Sequence, residues 1–260
     1  MRSIFLSAFF AVLLPVAHGA DVEIKLSDQE ASQIGRKVWR NECAGTISGL
    51  TSWNAGENFA SLGIGHFIWY PKGVDGPFDE SFPKLVKFFQ ARGVATPGWL
   101  TPETRCPWNS RQEFVRDAAS PRMVELRNLL AGTVPLQTEF LVHRLEGALP
   151  KMQEAAAPSA RAKVGEQFYR VLRAGPAGAF ALIDYVNFKG EGTLATERYK
   201  GEGWGLLQVL ENMSSTSSPI RDFAASAKEM LARRVRNSPP ARGEERWLPG
   251  WTSRVEAYAE

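Results

Sequence analysis

The sequence predicts an α+β chain, mainly α, in which a small β-hairpin lobe (43–78) adjoins a larger helical lobe (79–260). Three observations carry this. Residues 28–42 have the apolar spacing of an amphipathic helix, residues 60–69 read as a β run broken by glycines, and from Ser110 onward apolar residues recur at helical spacing. With 44% apolar and 23% charged residues, the 260-residue chain can bury one sizeable core or two small lobes, and it lacks the composition of a disordered protein.

The first 19 residues read as a secretory signal. Arg2 supplies the positive end, Ile4 to Val16 the apolar stretch and Ala17-His18-Gly19 a small-residue exit. The expectation is therefore a single domain over 20–260, periplasmic or secreted. The apolar run is short for a membrane span, so no stable membrane insertion is expected after cleavage. Losing Arg2 takes the formal charge from +3 to +2, which gives no argument for a nucleic-acid partner.

The first helix of the mature chain opens on Ser27 and Glu30, which have the spacing of a capping box. Its apolar stripe runs through Ala31, Ile34 and Val38, and the next position on that stripe is Glu42. A carboxyl group on a buried stripe loses water, which disfavours its charge and suits it to donate a proton. A Gly- and Asn-containing loop follows, then Ala60 to Trp69 as strand. Turn chemistry at 70–77 leads to a helix from Pro83 to Arg92, and a Pro- and Trp-containing loop covers 94–109. Ser110 with Glu113, and then Ser120-Pro121, start two helices, the second ending at Gly132. Leu136, Phe140, Leu141 and Leu145 mark the next, and a polar, Ala-rich stretch from 151 to 163 leads to another at 164–172. Residues 177–188 form the most apolar helical segment, hence the expected central helix, and 220–235 give one more amphipathic helix.

Ser-Leu-Gly-Ile-Gly-His at 61–66, following Glu42 and a loop, resembles the hairpin signature of the phage-type lysozymes. Ala-Leu-Ile-Asp-Tyr-Val-Asn-Phe-Lys-Gly at 181–190 is similar to an internal helix of that family, and 248–257 to its closing segment. The three lie in the family's order. The resemblance implies a lysozyme-like fold and an exported muramidase whose partner is the glycan strand of peptidoglycan, with Glu42 as general acid. It implies one cleft wall carrying Trp53, Asn54, Gly65 and His66, and an opposite wall with Tyr185, Asn187, Glu191 and Gln208.

This chain departs from the family pattern where the second carboxylate belongs: the loop is about four residues longer and Ala55 stands at that place. Glu57, two residues on, is the expected substitute, with Ser61 positioning water. Without Glu57, the alternatives are a lytic transglycosylase, which needs one acid/base, or a lysozyme-like wall-binding protein without activity. Gly205-Leu-Leu-Gln208 resembles a transglycosylase motif and offers Glu191 as a rival acid. No cofactor is expected, and the histidines and cysteines lack zinc-ligand spacing. Export and a count of two cysteines predict a Cys43–Cys106 disulfide, whose loop of about 64 residues would stabilise by roughly 4 kcal/mol.

Overall fold

The computed structural model describes residues 23–260; the expected signal segment at 1–19 lies outside them. The architecture is mainly helical with two small antiparallel sheets. Helix α1 (Asp28–Cys43) starts where expected. The Ser27 hydroxyl accepts from the Glu30 N–H, and the Glu30 carboxylate accepts from the Ser27 N–H at 2.7 Å. It ends where Ala44 takes a left-handed conformation, with φ 52°. Glu42 thus occupies the last turn.

Strands β1 (Thr51–Ser52), β2 (Ala60–Leu62) and β3 (Phe67–Trp69) form one antiparallel sheet in that order. Ser61 pairs with Ser52 and Ile68, while Leu62 pairs with Thr51 and Phe67. Side chains alternate across a sheet, so Leu62 and Phe67 turn to the core while Ser52, Ser61 and Ile68 share the other face. The loop 53–59 and the turn 63–66 therefore sit at opposite ends of β2, about 10 Å apart along a three-residue strand. Helix α2 (Phe82–Ala91) packs on β3, burying Phe82, Leu85, Val86 and Phe89.

Helices α3 (Arg111–Arg116), α4 (Pro121–Gly132), α5 (Val134–Ala155), α6 (Arg161–Leu172) and α7 (Pro176–Lys189) follow. The sequence places a polar connection from residue 151, but α5 runs through Pro150 to Ala155. Burial of Ala148, Leu149 and Met152 on both sides of the proline offsets the hydrogen bond it cannot donate. Helix α7 is the central one: Gly178 to Tyr185 are all buried, and it packs against α1, α5, α6, α8 and α9. A second ribbon, β4 (Arg198–Tyr199) and β5 (Glu202–Gly203), turns at Lys200 and Gly201, both at positive φ. Its two-residue strands are too short to leave a period in the sequence. Helices α8 (Leu206–Asn212), α9 (Pro219–Asn237) and α10 (Leu248–Glu256) complete the chain, with α10 lying on α9. One continuous apolar core includes residues of both lobes, from Ile34 and Leu62 to Leu182 and Leu231.

The expected disulfide is not formed: Cys43 and Cys106 are free, buried thiols. The register explains this. Cys43 Sγ lies 3.4 Å from the Gly63 carbonyl oxygen, at one end of the sheet, whereas the Cys106 N–H donates to Tyr70 O, just past the other end of β3. A strand length of about 10 Å separates them, beyond the Cα spacing of roughly 4.4–6.8 Å that a disulfide spans. Burial pushes both thiols up to about 12. A thiol reagent near pH 8 should leave the native protein unlabelled and add two labels per chain once it is denatured without reductant. Unlabelled denatured protein would show a bridge.

Candidate active site

Glu42 projects from the last turn of α1 into a ring of side chains from elements far apart in sequence, and its side chain is only 12% exposed. Arg254 Nη2 of α10 donates to Glu42 Oε1 at 2.5 Å, and Asn187 Nδ2 of α7 donates to the same oxygen at 3.4 Å. His66 Nδ1, from the β2–β3 turn, lies 3.4 Å from Oε2. The carboxyl group thus meets both the sheet and the helical part of the molecule.

Arg254 is itself anchored. Its Nε and Nη2 both donate to Asp184 at 2.8 Å, Tyr258 O–H donates to Asp184 Oδ2 at 2.5 Å, and Asn41 Nδ2 donates to Oδ1 at 3.1 Å. Asp184 is fully buried, which a carboxylate tolerates only when its oxygens are matched by donors. Burial opposes the Arg254 charge, yet its bonds to Asp184 prevail and raise its pKa. The guanidinium is therefore a fixed cation beside Glu42.

Glu42 sits at the carboxyl end of α1, directly beside the fixed Arg254 cation. His66 is held toward its neutral form: desolvation lowers its pKa, Glu42 partly counteracts this, and Arg254 adds to the lowering. Its Nε2 is enclosed without a hydrogen-bond partner among the described residues.

The glycines of the hairpin motif serve packing. A side chain at Gly63, with φ +68°, would come within 2.3 Å of Gln137 Oε1, the same atom that accepts from the Ile64 N–H at 2.9 Å. At Gly65 it would meet the Phe67 ring at 2.7 Å. The turn is thereby pressed against α5, which sets His66 beside Glu42.

The other sequence candidates divide sharply. Asn187 and His66 reach Glu42. Glu57 does not: it lies in the β1–β2 loop at the far end of the sheet, accepting from Asn54 Nδ2 at 3.1 Å, its pKa raised by burial. Asn54 is exposed beside it. Ser61 lies mid-strand between the two ends and is buried. Trp53 is buried against Phe114 with its indole N–H donating to Glu57 O, so its ring offers no open face for stacking. Tyr185 is fully buried and donates to Trp204 O, placing it in the core behind the site. Glu191 pairs with Lys151 at 2.9 Å. Gln208 caps α8, accepting from the Gly205 N–H at 3.0 Å while its amide donates to Gly192 O at 3.1 Å. The glycines bracketing Glu191 and Gln208 thus accommodate a tightly packed loop.

Arg254, Asp184, Tyr258 and Asn41 carry no role in the sequence reading. An aspartate in the most apolar helix was the visible signal, since such a residue persists in a core only with partners. Two surface depressions, one beside Ala177, Ile220 and Tyr258 and one beside Ile24, Leu172 and Pro176, include neither Glu42 nor its immediate partners.

Comparison with protein-family models, curated proteins and solved structures finds no match to this chain.

Proposed function

We propose that this chain is an exported glycan-cleaving enzyme acting on peptidoglycan, with Glu42 as its general acid. The observation that supports it is the setting of Glu42: a nearly enclosed carboxyl group at the meeting of sheet and helices, gripped by Arg254, Asn187 and His66. The resemblances at 61–66, 181–190 and 248–257 point to the same substrate, and the leader-like segment at 1–19 to the same compartment. In this reading the proton on Glu42 is the one transferred to a sugar bound over it. That proton passes to the glycosidic oxygen as the C–O bond breaks and positive charge builds on the sugar ring.

How the sugar cation is then quenched depends on the second group. A hydrolase needs a carboxylate that activates water or attacks carbon, and Glu57 was the sequence candidate. Its position at the far end of the sheet favours the second reading, a lytic transglycosylase. There Glu42 alone serves as acid and then base, and the sugar's own 6-hydroxyl attacks, leaving a 1,6-anhydro end.

Mass spectrometry of digested sacculi decides between them. Anhydro-ended products, with Glu57→Ala retaining the wild-type rate within about twofold, are the expected result, because removing a group remote from the reacting atoms leaves transition-state stabilisation unchanged. Reducing ends together with a large loss in Glu57→Ala would establish the hydrolase. Intact strands would leave a wall-binding protein without activity.

A further inference from the structure

Lys189, the last residue of α7, is 8% exposed, and its side chain makes no hydrogen bond or ion pair among the described residues. Its Nζ rests 3.4 Å from the Trp251 ring centroid and 3.8 Å from that of Phe188. These contacts attract a cation but satisfy none of its three N–H donors in line. Two guanidiniums share the same rings: Arg254 lies 4.1 Å from the Phe188 centroid and Arg234 5.0 Å from that of Trp251. Three cationic groups thus sit on one aromatic floor, and one of them, Arg254, touches Glu42.

Charged groups face Lys189 from several elements. Arg234 of α9 and Arg254 of α10 repel its charge, while Glu42 of α1 and Glu244 attract it. Burial comes first and then the guanidiniums, and together they hold the amine well below its usual range. Both carboxylates are already engaged, Glu42 by Arg254 and Glu244 by Arg234 and Arg242. Lys189 is not wholly enclosed, keeping 8% of its surface exposed.

We propose that Lys189, on its floor of Phe188 and Trp251, is a subsite for a carboxylate carried by the glycan strand, adjoining the bond that Glu42 protonates. This rests on the glycan-cleaving reading above and extends it to substrate choice. An arriving carboxylate supplies the missing acceptor and the missing counter-charge together. It favours the ammonium form, so binding takes up a proton where the free amine is neutral.

The test uses peptidoglycan strands freed of stem peptides, which carry bare lactyl carboxylates, and the same strands with those carboxylates converted to amides. Wild-type protein should cleave the carboxylate strand with about tenfold higher kcat/KM, the difference lying in KM, as expected for one charge-assisted contact made in the bound ground state. Lys189→Met should bring the ratio close to one, and Lys189→Arg should retain the preference. A ratio near one in wild type, or a preference that survives in Lys189→Met, overturns the subsite and leaves the function of Glu42 standing. If Lys189→Met does not fold, a Lys189→Arg protein without the preference overturns it equally. Failure of wild type to cleave either strand instead removes the glycan-cleaving reading itself.

Discussion

If the proposed function holds, Glu42→Gln should give a folded protein whose rate of glycan cleavage falls about 1,000-fold, within the range general acid catalysis supplies. Glutamine keeps the length and shape of the side chain, and its amide oxygen can still accept from Arg254 and Asn187. Arg254 stays compensated because Asp184 holds it through two hydrogen bonds of 2.8 Å. The cost to stability is that of weakening one charge-assisted bond, about 1.5–3 kcal/mol. What disappears is the transferable proton. Dye release from labelled sacculi measures the rate, and circular dichroism with a melting curve verifies the fold. A folded Glu42→Gln protein clearing sacculi at a near-normal rate would end the assignment of Glu42 as the acid.

Glu244→Ala should cost about 3–5 kcal/mol, the range for removing one partner of a buried ion pair. Glu244 is fully buried and accepts from Arg234 Nε at 2.7 Å and Nη2 at 2.9 Å, from Arg242 Nε at 2.8 Å and from Tyr199 O–H at 2.9 Å. Without it, Arg234 remains enclosed beside Trp204 and Trp251 with no counter-ion, and the floor under Lys189 loosens. The pH dependence has a definite sign. Burial pushes the Glu244 pKa up, but the bonds from Arg234 and Arg242 outweigh it and bring it down from 4.5 to about 2. A carboxylate with a depressed pKa stabilises fully above its unfolded value, and that stability is lost as pH falls through the folded one. Urea unfolding should therefore show the gap between wild type and Glu244→Ala to be constant from about pH 7 to 5 and to shrink as pH drops toward 2. A gap that does not change over that acid range would mean that the carboxylate charge is not what stabilises this cluster.

Much of the fold was legible because its signals are local. The capping box at Ser27 and Glu30, the serine caps at Ser110 and Ser120, and the apolar run at 177–188 each act within a few residues, and each appears in the structure. Of the residues singled out in the sequence, Glu42, His66 and Asn187 are brought together in the structure. The site was misread where a residue type stood in for its environment. Trp53 and Tyr185 have the chemistry of sugar platforms, yet both are enclosed by packing. The hairpin glycines, which break the β run in the sequence, leave room in the structure for Gln137 and Phe67.

By itself, then, the sequence determined a mainly helical α+β chain, the ends of most helices, and the placing of Glu42 on a buried stripe. These follow from hydrogen bonds and apolar periods that span a few residues. Only the tertiary structure decided that Cys43 and Cys106 lie against opposite ends of the small sheet, that Glu57 lies at the end away from Glu42, and that Arg254, 212 positions on, grips the Glu42 carboxyl. The physical reason is range. Local propensity says nothing about which distant side chains a packed core brings together, and the charge on a buried carboxyl group depends on those neighbours.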